Sequence, residues 1–139
     1  SSLGGNVQVE IKGVSEVLNM LRLKGQEIKQ GADTGTFLAA NFIQQEVQES
    51  IIGNRSEPKS VATGRFANSI TLLKKQEAEF TIFPQETTYP GTNTTTQDVA
   101  KILEFGTATI APRMHFRNTV ARNQKRATEI IRDEIKRKI

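Results

Sequence analysis

The sequence contains no cysteine and no tryptophan, and it has one histidine, His115. Without cysteine, disulfides, thiolate metal sites and cysteine-based catalysis are excluded. A zinc site would need several carboxylates beside that histidine, or ligands shared between chains, and no cluster has that spacing. The phosphate-binding Gly-Lys-Ser/Thr loop and the Gly-x-Gly-x-x-Gly fingerprint are also missing. We therefore expect no metal, no cofactor and no catalytic residues.

Long apolar runs are missing as well. No stretch of ~18 apolar residues occurs, so the sequence predicts no membrane span. The opening SSLGGNVQ has neither a basic region nor an apolar core, and we expect no signal peptide there. Only 36% of residues are hydrophobic and 6% are aromatic, which predicts a thin core for a single domain over 1–139, with 1–6 flexible. Thin cores are often completed by neighbouring subunits.

Basic residues are concentrated at the C-terminal end. Residues 113–139 hold nine Lys/Arg and three Asp/Glu, whereas the preceding 112 residues hold ten and twelve. The basic patch of this segment consists of Arg122, Lys125, Arg126 and Arg132. Three interpretations stay open: a solvated helix face, a surface for an acidic protein, or a contact with nucleic-acid phosphates. Acidic residues interrupt the face and no aromatic residues are interleaved, which argues against base stacking.

Periodicity predicts the elements of the first half. Alternation predicts a strand over 7–11, and helical spacing predicts helices over 14–23 and 37–52. Glycines that each weaken a helix by ~1 kcal/mol lie between those helices: Gly25, Gly31 and Gly35. We therefore expect a break there, with Asp33 or Thr34 capping the second helix.

The second predicted helix is amphipathic. Its apolar stripe is Phe37, Ala40, Ile43, Val47 and Ile51. Its polar residues are predicted to face water, and these are Gln44, Gln45, Gln48 and Glu49. A polar connection then leads to a strand pair over 69–83 that bends near Gln76 and Glu77.

The second half combines a polar stretch with helices. Residues 84–98 are rich in threonine and poor in apolar residues; we interpret them as a flexible hairpin tip, the alternative being a loop ordered against a partner subunit. A short apolar element, VAKILEF, precedes a long basic helix over 116–138. Together the elements predict an α+β fold, with a small antiparallel sheet packed with two to three α-helices.

The segment from 100 to 120 is unusual. Glu104 lies between two apolar residues, where an unpaired buried carboxylate costs several kcal/mol. It either alternates outward or pairs with Arg113 or Arg117, in the same chain or in the next subunit. Gly106 suits a turn with positive φ, between two aromatic anchors: Phe105 and Phe116.

Three short motifs occur in a fixed order. Thr63, Gly64, Ser69 and Ile70 belong to ATGRFANSI, Glu104 to Thr107 form EFGT, and Pro112, Phe116 and Arg117 lie in APRMHFRNTV. With the preceding strand and GVSEVLNMLRL, this order resembles the small neck or tail-completion proteins of Hong Kong-type long-tailed phages. That family has Thr-Gly-x-Leu-x-x-Ser-Ile, then Glu-Phe-Gly-Thr, then Arg-Pro-Phe-hydrophobic-Arg-Pro-Ala. Here Phe66 replaces the leucine, and the third motif is rearranged.

The resemblance implies a non-enzymatic virion protein of a tailed bacteriophage, assembled in the host cytoplasm. It would form a neck ring, hexameric or dodecameric, between the head-closure (connector) complex and the tail-terminator and tail-tube proteins. DNA in the channel would be a non-specific partner, and no membrane is involved. The candidate joint residues are Glu104, Phe105, Gly106, Thr107, Arg113, Phe116 and Arg117. The alternatives are a nucleic-acid-binding protein using the basic helix, or an enzyme with its site at Glu104, Arg113 and His115.

Overall fold

The computed structural model of the protein describes residues 6–12, 26–60 and 64–138. Its helices are α1 (Gln26–Ile51), α2 (Arg65–Asn68), α3 (Thr96–Phe105) and α4 (His115–Lys136). Its strands are β1 (Val9–Lys12), β2 (Ile70–Gln76) and β3 (Glu79–Pro84). The predicted α+β class is confirmed, since a three-stranded antiparallel sheet packs against helices and the long α4 packs on α1.

The sheet follows from the alternation in the sequence. β3 is central, with β1 and β2 on either side. Ile82 of β3 pairs with Val9 on one side and with Leu72 on the other, and it is fully buried. The predicted strands over 7–11 and 69–83 are therefore confirmed, apart from small shifts of their ends.

The turn between β2 and β3 is held from α1 by Asp33. Its carboxylate accepts a hydrogen bond from the Ala78 amide at 2.8 Å and binds the Lys74 ammonium at 2.8 Å. Ala78 has a φ of 56°, a left-handed conformation that costs a non-glycine residue about 1–2 kcal/mol. The prediction that Asp33 or Thr34 caps a helix is wrong, because both lie inside α1.

The helix α1 is continuous over 26 residues, including Gly31 and Gly35, so the predicted break is wrong. Both glycines lie where α4 packs against α1. A Cβ on Gly35 would lie 3.0 Å from the Ile131 Cα, and one on Gly31 would lie 3.3 Å from the Ile135 Cα. The close packing that the missing side chains allow offsets the ~1 kcal/mol of helix propensity lost at each glycine.

The apolar stripe of α1 is confirmed except at its first position. Four of its residues are at most 1% exposed: Ala40, Ile43, Val47 and Ile51. Phe37 is instead 45% exposed and packs against the Phe80 ring, with centroids 5.7 Å apart. Gln44 and Gln48, predicted to face water, are half-buried and donate to backbone carbonyls of β2 and α2.

The stretch predicted as a flexible loop over 84–98 has hydrogen-bonded structure of its own. β3 ends and α3 begins inside it. Between them Thr88 and Thr95 form an antiparallel bridge, and Thr95 and Asp98 form a capping box at the start of α3. The bridge agrees with the predicted hairpin tip, which is shorter than the predicted range, and its mobility in an isolated subunit stays a prediction.

The terminal helix is confirmed, with α4 beginning one residue before the predicted start. None of the helices in the described ranges is long and apolar enough to cross a membrane. The helix predicted over 14–23 lies outside the described residues, as do Gly25, Thr63 and Ile139. Flexibility is predicted for 1–6, of which 1–5 lie outside the described residues as well.

The close contact between α1 and α4 makes a first prediction. Gly35→Leu should destabilise the protein by about 1–3 kcal/mol, because the new side chain must displace the α4 backbone. Chemical denaturation measures the change. Gln45→Leu, on the exposed part of the same helix, should change stability by less than ~0.5 kcal/mol. Equal stability of the two variants would contradict the close approach of α1 and α4.

Candidate functional site

The buried carboxylate of Glu104 binds the start of α4. Glu104 is 6% exposed, and its two oxygens accept hydrogen bonds from the backbone amides of Phe116 at 3.0 Å and Arg117 at 2.9 Å. The first amides of a helix have no partner within the helix, and the helix dipole favours a negative charge there. Met114, at the N-cap position, supplies no side-chain acceptor. Glu104 therefore caps α4 from α3.

Within the single chain, the predicted pairing of Glu104 with an arginine side chain is wrong, whereas a pairing with an arginine of the next subunit stays a prediction. Arg117 contributes its backbone amide instead of its guanidinium. The Arg113 guanidinium lies elsewhere, donating to the Lys59 carbonyl and to the Ser60 hydroxyl, each at 2.8 Å. Backbone amides aligned at a helix end satisfy a carboxylate without a counter-charge, and sequence spacing gives no sign of that.

The EFGT motif forms a closed turn. Gly106 has a φ of 74°, as predicted, and a Cβ there would lie 2.6 Å from the Ile110 carbonyl oxygen. The Thr107 amide donates to that carbonyl at 2.8 Å, and the Thr107 hydroxyl accepts from the Ile110 amide at 3.1 Å. The Arg113 and Met114 amides then both donate to the Leu103 carbonyl. We refer to residues 103–117 as the joint.

The two predicted aromatic anchors differ in position. Phe116 is 4% exposed and belongs to the core, which confirms that prediction. Phe105 is 42% exposed, so it is no anchor of the chain's own core, and its role at a subunit contact stays a prediction. Ile102 and Ile110 are also exposed, at 36% and 40%. These three residues, on α3 and the turn after it, are called the joint patch.

A chain of hydrogen bonds connects the joint to the residues that follow α1. His115 is 1% exposed, with Nδ1 2.8 Å from the Ser50 hydroxyl and Nε2 2.7 Å from the Ser60 hydroxyl. Ser50 in turn donates to Glu57 at 2.6 Å, and Arg113 donates to Ser60. We call these five residues the His115 relay. They attach the loop formed by residues 53–60 to the start of α4.

Glu57 is the residue that sequence reasoning missed. It is 5% exposed and accepts a bidentate pair of hydrogen bonds from the Arg122 guanidinium, both at 3.0 Å. Ser50, Ser56 and Asn118 also donate to it. Burial alone raises the pKa of this carboxyl, but the hydrogen bonds, with Arg122 first, hold the pKa at about 2. Glu57 lies in a polar loop, directly before a proline, where no helical or strand periodicity indicates that a residue is buried.

The predicted basic patch divides into paired and unpaired residues. Arg122 is committed to Glu57, and Arg126 lies 3.5 Å from Glu129 in the next turn. Lys125 and Arg132 are exposed. The patch is therefore less basic on its outer surface than its sequence indicates.

The described residues include no group of three or more histidine, aspartate and glutamate side chains placed to hold a metal ion. The enzyme alternative had joined Glu104, Arg113 and His115. The structure brings Arg113 and His115 into one network, but its carboxylate is Glu57.

Comparisons of the chain with protein-family models, with curated proteins and with solved structures found no match.

The cap on α4 makes a second prediction. Glu104→Ala should lower stability by about 1–3 kcal/mol, because it leaves the buried Phe116 amide and the partly buried Arg117 amide without acceptors. Thermal and urea unfolding measure the loss. Glu86→Ala removes an exposed carboxylate and should change stability by less than ~0.5 kcal/mol. A wild-type melting temperature in Glu104→Ala would show that the cap contributes nothing.

The Glu57 site makes a third prediction, on pH. The pKa of Glu57 is about 2 in the folded protein, against an ordinary value of 4.5. The contribution of the ionised carboxylate to the free energy of unfolding is therefore complete above pH 4.5 and is lost as pH falls through 2. Solvent at the partly exposed Arg122 side chain screens the Glu57–Arg122 ion pair. We therefore expect the free energy of unfolding to fall by about 1–2 kcal/mol. Urea midpoints measured between pH 5 and 2.5 should fall less in Glu57→Gln than in the wild type. Urea midpoints that fall equally with pH in Glu57→Gln and in the wild type would contradict this prediction. The control is Glu86→Gln, which changes an exposed carboxylate and should follow the wild type.

Proposed function

We propose that the chain is a structural virion subunit of a tailed bacteriophage, forming a ring in the neck between the head-closure complex and the tail. One observation carries the proposal. Two of the motifs that carry the resemblance are EFGT and the segment around Phe116. They meet in the joint, where Glu104 of EFGT caps α4, the helix that begins in the Phe116 segment. The motif residues serve to position two helices, as expected of a structural subunit.

The exposed apolar surface supports assembly. The joint patch lies on α3 and its following turn, whereas Phe37 and Leu73, 45% and 46% exposed, lie on α1 and β2. A head-to-tail ring needs two unlike surfaces on each subunit, one for each neighbour. Clustered exposed apolar residues are typical of protein contacts. The joint patch is one candidate surface and Leu73 on β2 marks the other. Phe37 belongs to neither, because it packs against Phe80, whereas Leu73 pairs with Thr81 on the opposite face of the sheet.

The His115 relay favours a structural role over a catalytic one. A serine beside a histidine is an arrangement for nucleophilic catalysis. A catalytic base, however, needs a pKa near the working pH. Burial, reinforced by Arg113 and opposed by Glu57, lowers the pKa of His115 to about 4. Arg113 also donates onto the Ser60 oxygen that would have to attack a substrate.

The alternative function is nucleic-acid binding by α4. Lys125, Arg132 and Lys136 are exposed and follow one another at helical spacing along a single face. Three cations on one helix suit weak, salt-sensitive contacts with phosphates, typically ~10⁻⁴–10⁻⁶ M. A sequence-specific nanomolar complex with duplex DNA would favour this alternative over the neck subunit.

The ring makes the fourth prediction. Native mass spectrometry and light scattering should find a closed oligomer of the wild type. Phe105→Ser and Leu73→Ser should each weaken assembly. At a dilution where the wild type is monomeric, neither should lower the melting temperature, because both side chains are exposed in the single chain. Ile52→Ser, which removes an apolar residue that is 37% exposed and belongs to neither surface, is the control.

Mixing the two variants tests the head-to-tail geometry. Each variant keeps the surface that the other has lost, so a mixture can form one intact contact and should give dimers but no rings. A monomeric wild type at all concentrations, or full rings in both variants, would contradict the proposal.

A further inference from the structure

The proton positions of the His115 relay follow from its donors and acceptors. The Glu57 carboxylate is ionised and can only accept, so the single Ser50 hydroxyl hydrogen points to Glu57. The Ser50 oxygen must then accept from His115 at Nδ1. The neutral imidazole therefore carries its hydrogen on Nδ1, and its Nε2 lone pair faces the Ser60 hydroxyl at 2.7 Å.

Ser60 has one hydrogen and two acceptors within reach. Its oxygen lies 2.7 Å from His115 Nε2 and 3.1 Å from the Pro58 carbonyl oxygen, and it accepts from Arg113 at 2.8 Å. With a neutral imidazole the hydroxyl donates to Nε2. With a protonated imidazole, Nε2–H becomes the donor, and the Ser60 hydrogen must turn to Pro58.

We propose that Ser60 and His115 form a pH-operated latch, in which protonation of His115 turns the Ser60 hydroxyl to Pro58 and releases the 53–60 loop from Arg113. In the protonated state both the imidazolium and the Arg113 guanidinium donate to the same Ser60 oxygen. Two cations on one oxygen repel each other. Withdrawal of Arg113 relieves that repulsion and also breaks its hydrogen bond to the Lys59 carbonyl.

Among the residues that the structure describes, the other charged groups around His115 leave Arg113 as the group that can move. Within the 53–60 loop, Glu57 attracts the imidazolium but is held by Arg122 of α4. On α3, Glu104 is bound to two backbone amides. On α1, near Ser50, the carboxylates of Glu46 and Glu49 bind residues of the loop itself.

The direction of the effect follows from linkage. Burial, as the largest cause, lowers the folded pKa of His115 from 6.5 to about 4. A depressed histidine pKa means that the neutral, closed latch is stable above pH 6.5 and weakens as pH falls through 4. The latch is therefore closed at neutral pH and opens on acidification, before Glu57 protonates near pH 2.

The single histidine makes the latch directly observable by NMR. At pH 7 the imidazole ¹⁵N signals should show the hydrogen on Nδ1. During acidification, amide shifts and hydrogen exchange in residues 53–60 should change with the same midpoint as the imidazole, while β3 stays protected. A hydrogen on Nε2 at neutral pH would overturn the proposal. So would amide shifts or exchange rates of residues 53–60 that do not change at the midpoint of the imidazole titration.

Arg113→Gln tests the repulsion that opens the latch. The neutral amide can still donate to Lys59, so the loop should stay protected at an acidic pH where the wild-type loop opens. The imidazole midpoint should rise by roughly half a unit to one unit, because a nearby cation has been removed. Arg137→Gln, on the exposed end of α4, should leave both unchanged. A midpoint and a loop exchange rate that match the wild type would refute the role of Arg113.

Discussion

The carboxylate of Glu104 determines how α3 and α4 are arranged. The first amides of a helix need acceptors from outside it, and those of α4 point into a part of the protein with little water. Glu104 supplies both acceptors at once, from the last turn of α3. Gly106 then lets the chain turn back, since no side chain fits beside the Ile110 carbonyl. The course of residues 106–114 follows from this one contact.

A second set of polar contacts extends a core that has few apolar residues. Fully buried positions next to the apolar cluster are occupied by Ser50 and His115, and Glu57 is nearly so. Such groups are costly when unpaired, but here each has hydrogen-bond partners. Because a paired network accepts only a few geometries, it specifies the position of the 53–60 loop more narrowly than apolar packing would.

The sequence could predict those features that depend on periodicity. The alternation in β1, β2 and β3 and the apolar stripe of α1 each have a regular spacing that burial enforces. The glycine at position 35 could not be interpreted correctly from the sequence. A side chain is excluded there by the Ile131 backbone of α4, almost a hundred residues further along the chain. Glu104 was recognised as unusual, but its partners are backbone amides, which look the same in every sequence. Glu57 lies in a loop without any period and gave no signal.

The joint also explains why Phe105 is exposed. Glu104 points inward to reach the amides of α4. Leu103, before it, packs against the core, and Phe105, ~100° further around the helix, lies at the exposed edge. Ile110 closes the Gly106 turn through its backbone, which leaves its side chain outside as well. These hydrogen bonds thus hold the backbone that carries the exposed apolar side chains in a fixed position. A fixed backbone reduces the entropy lost when a second protein binds there, which is consistent with the proposed role of the joint patch in assembly.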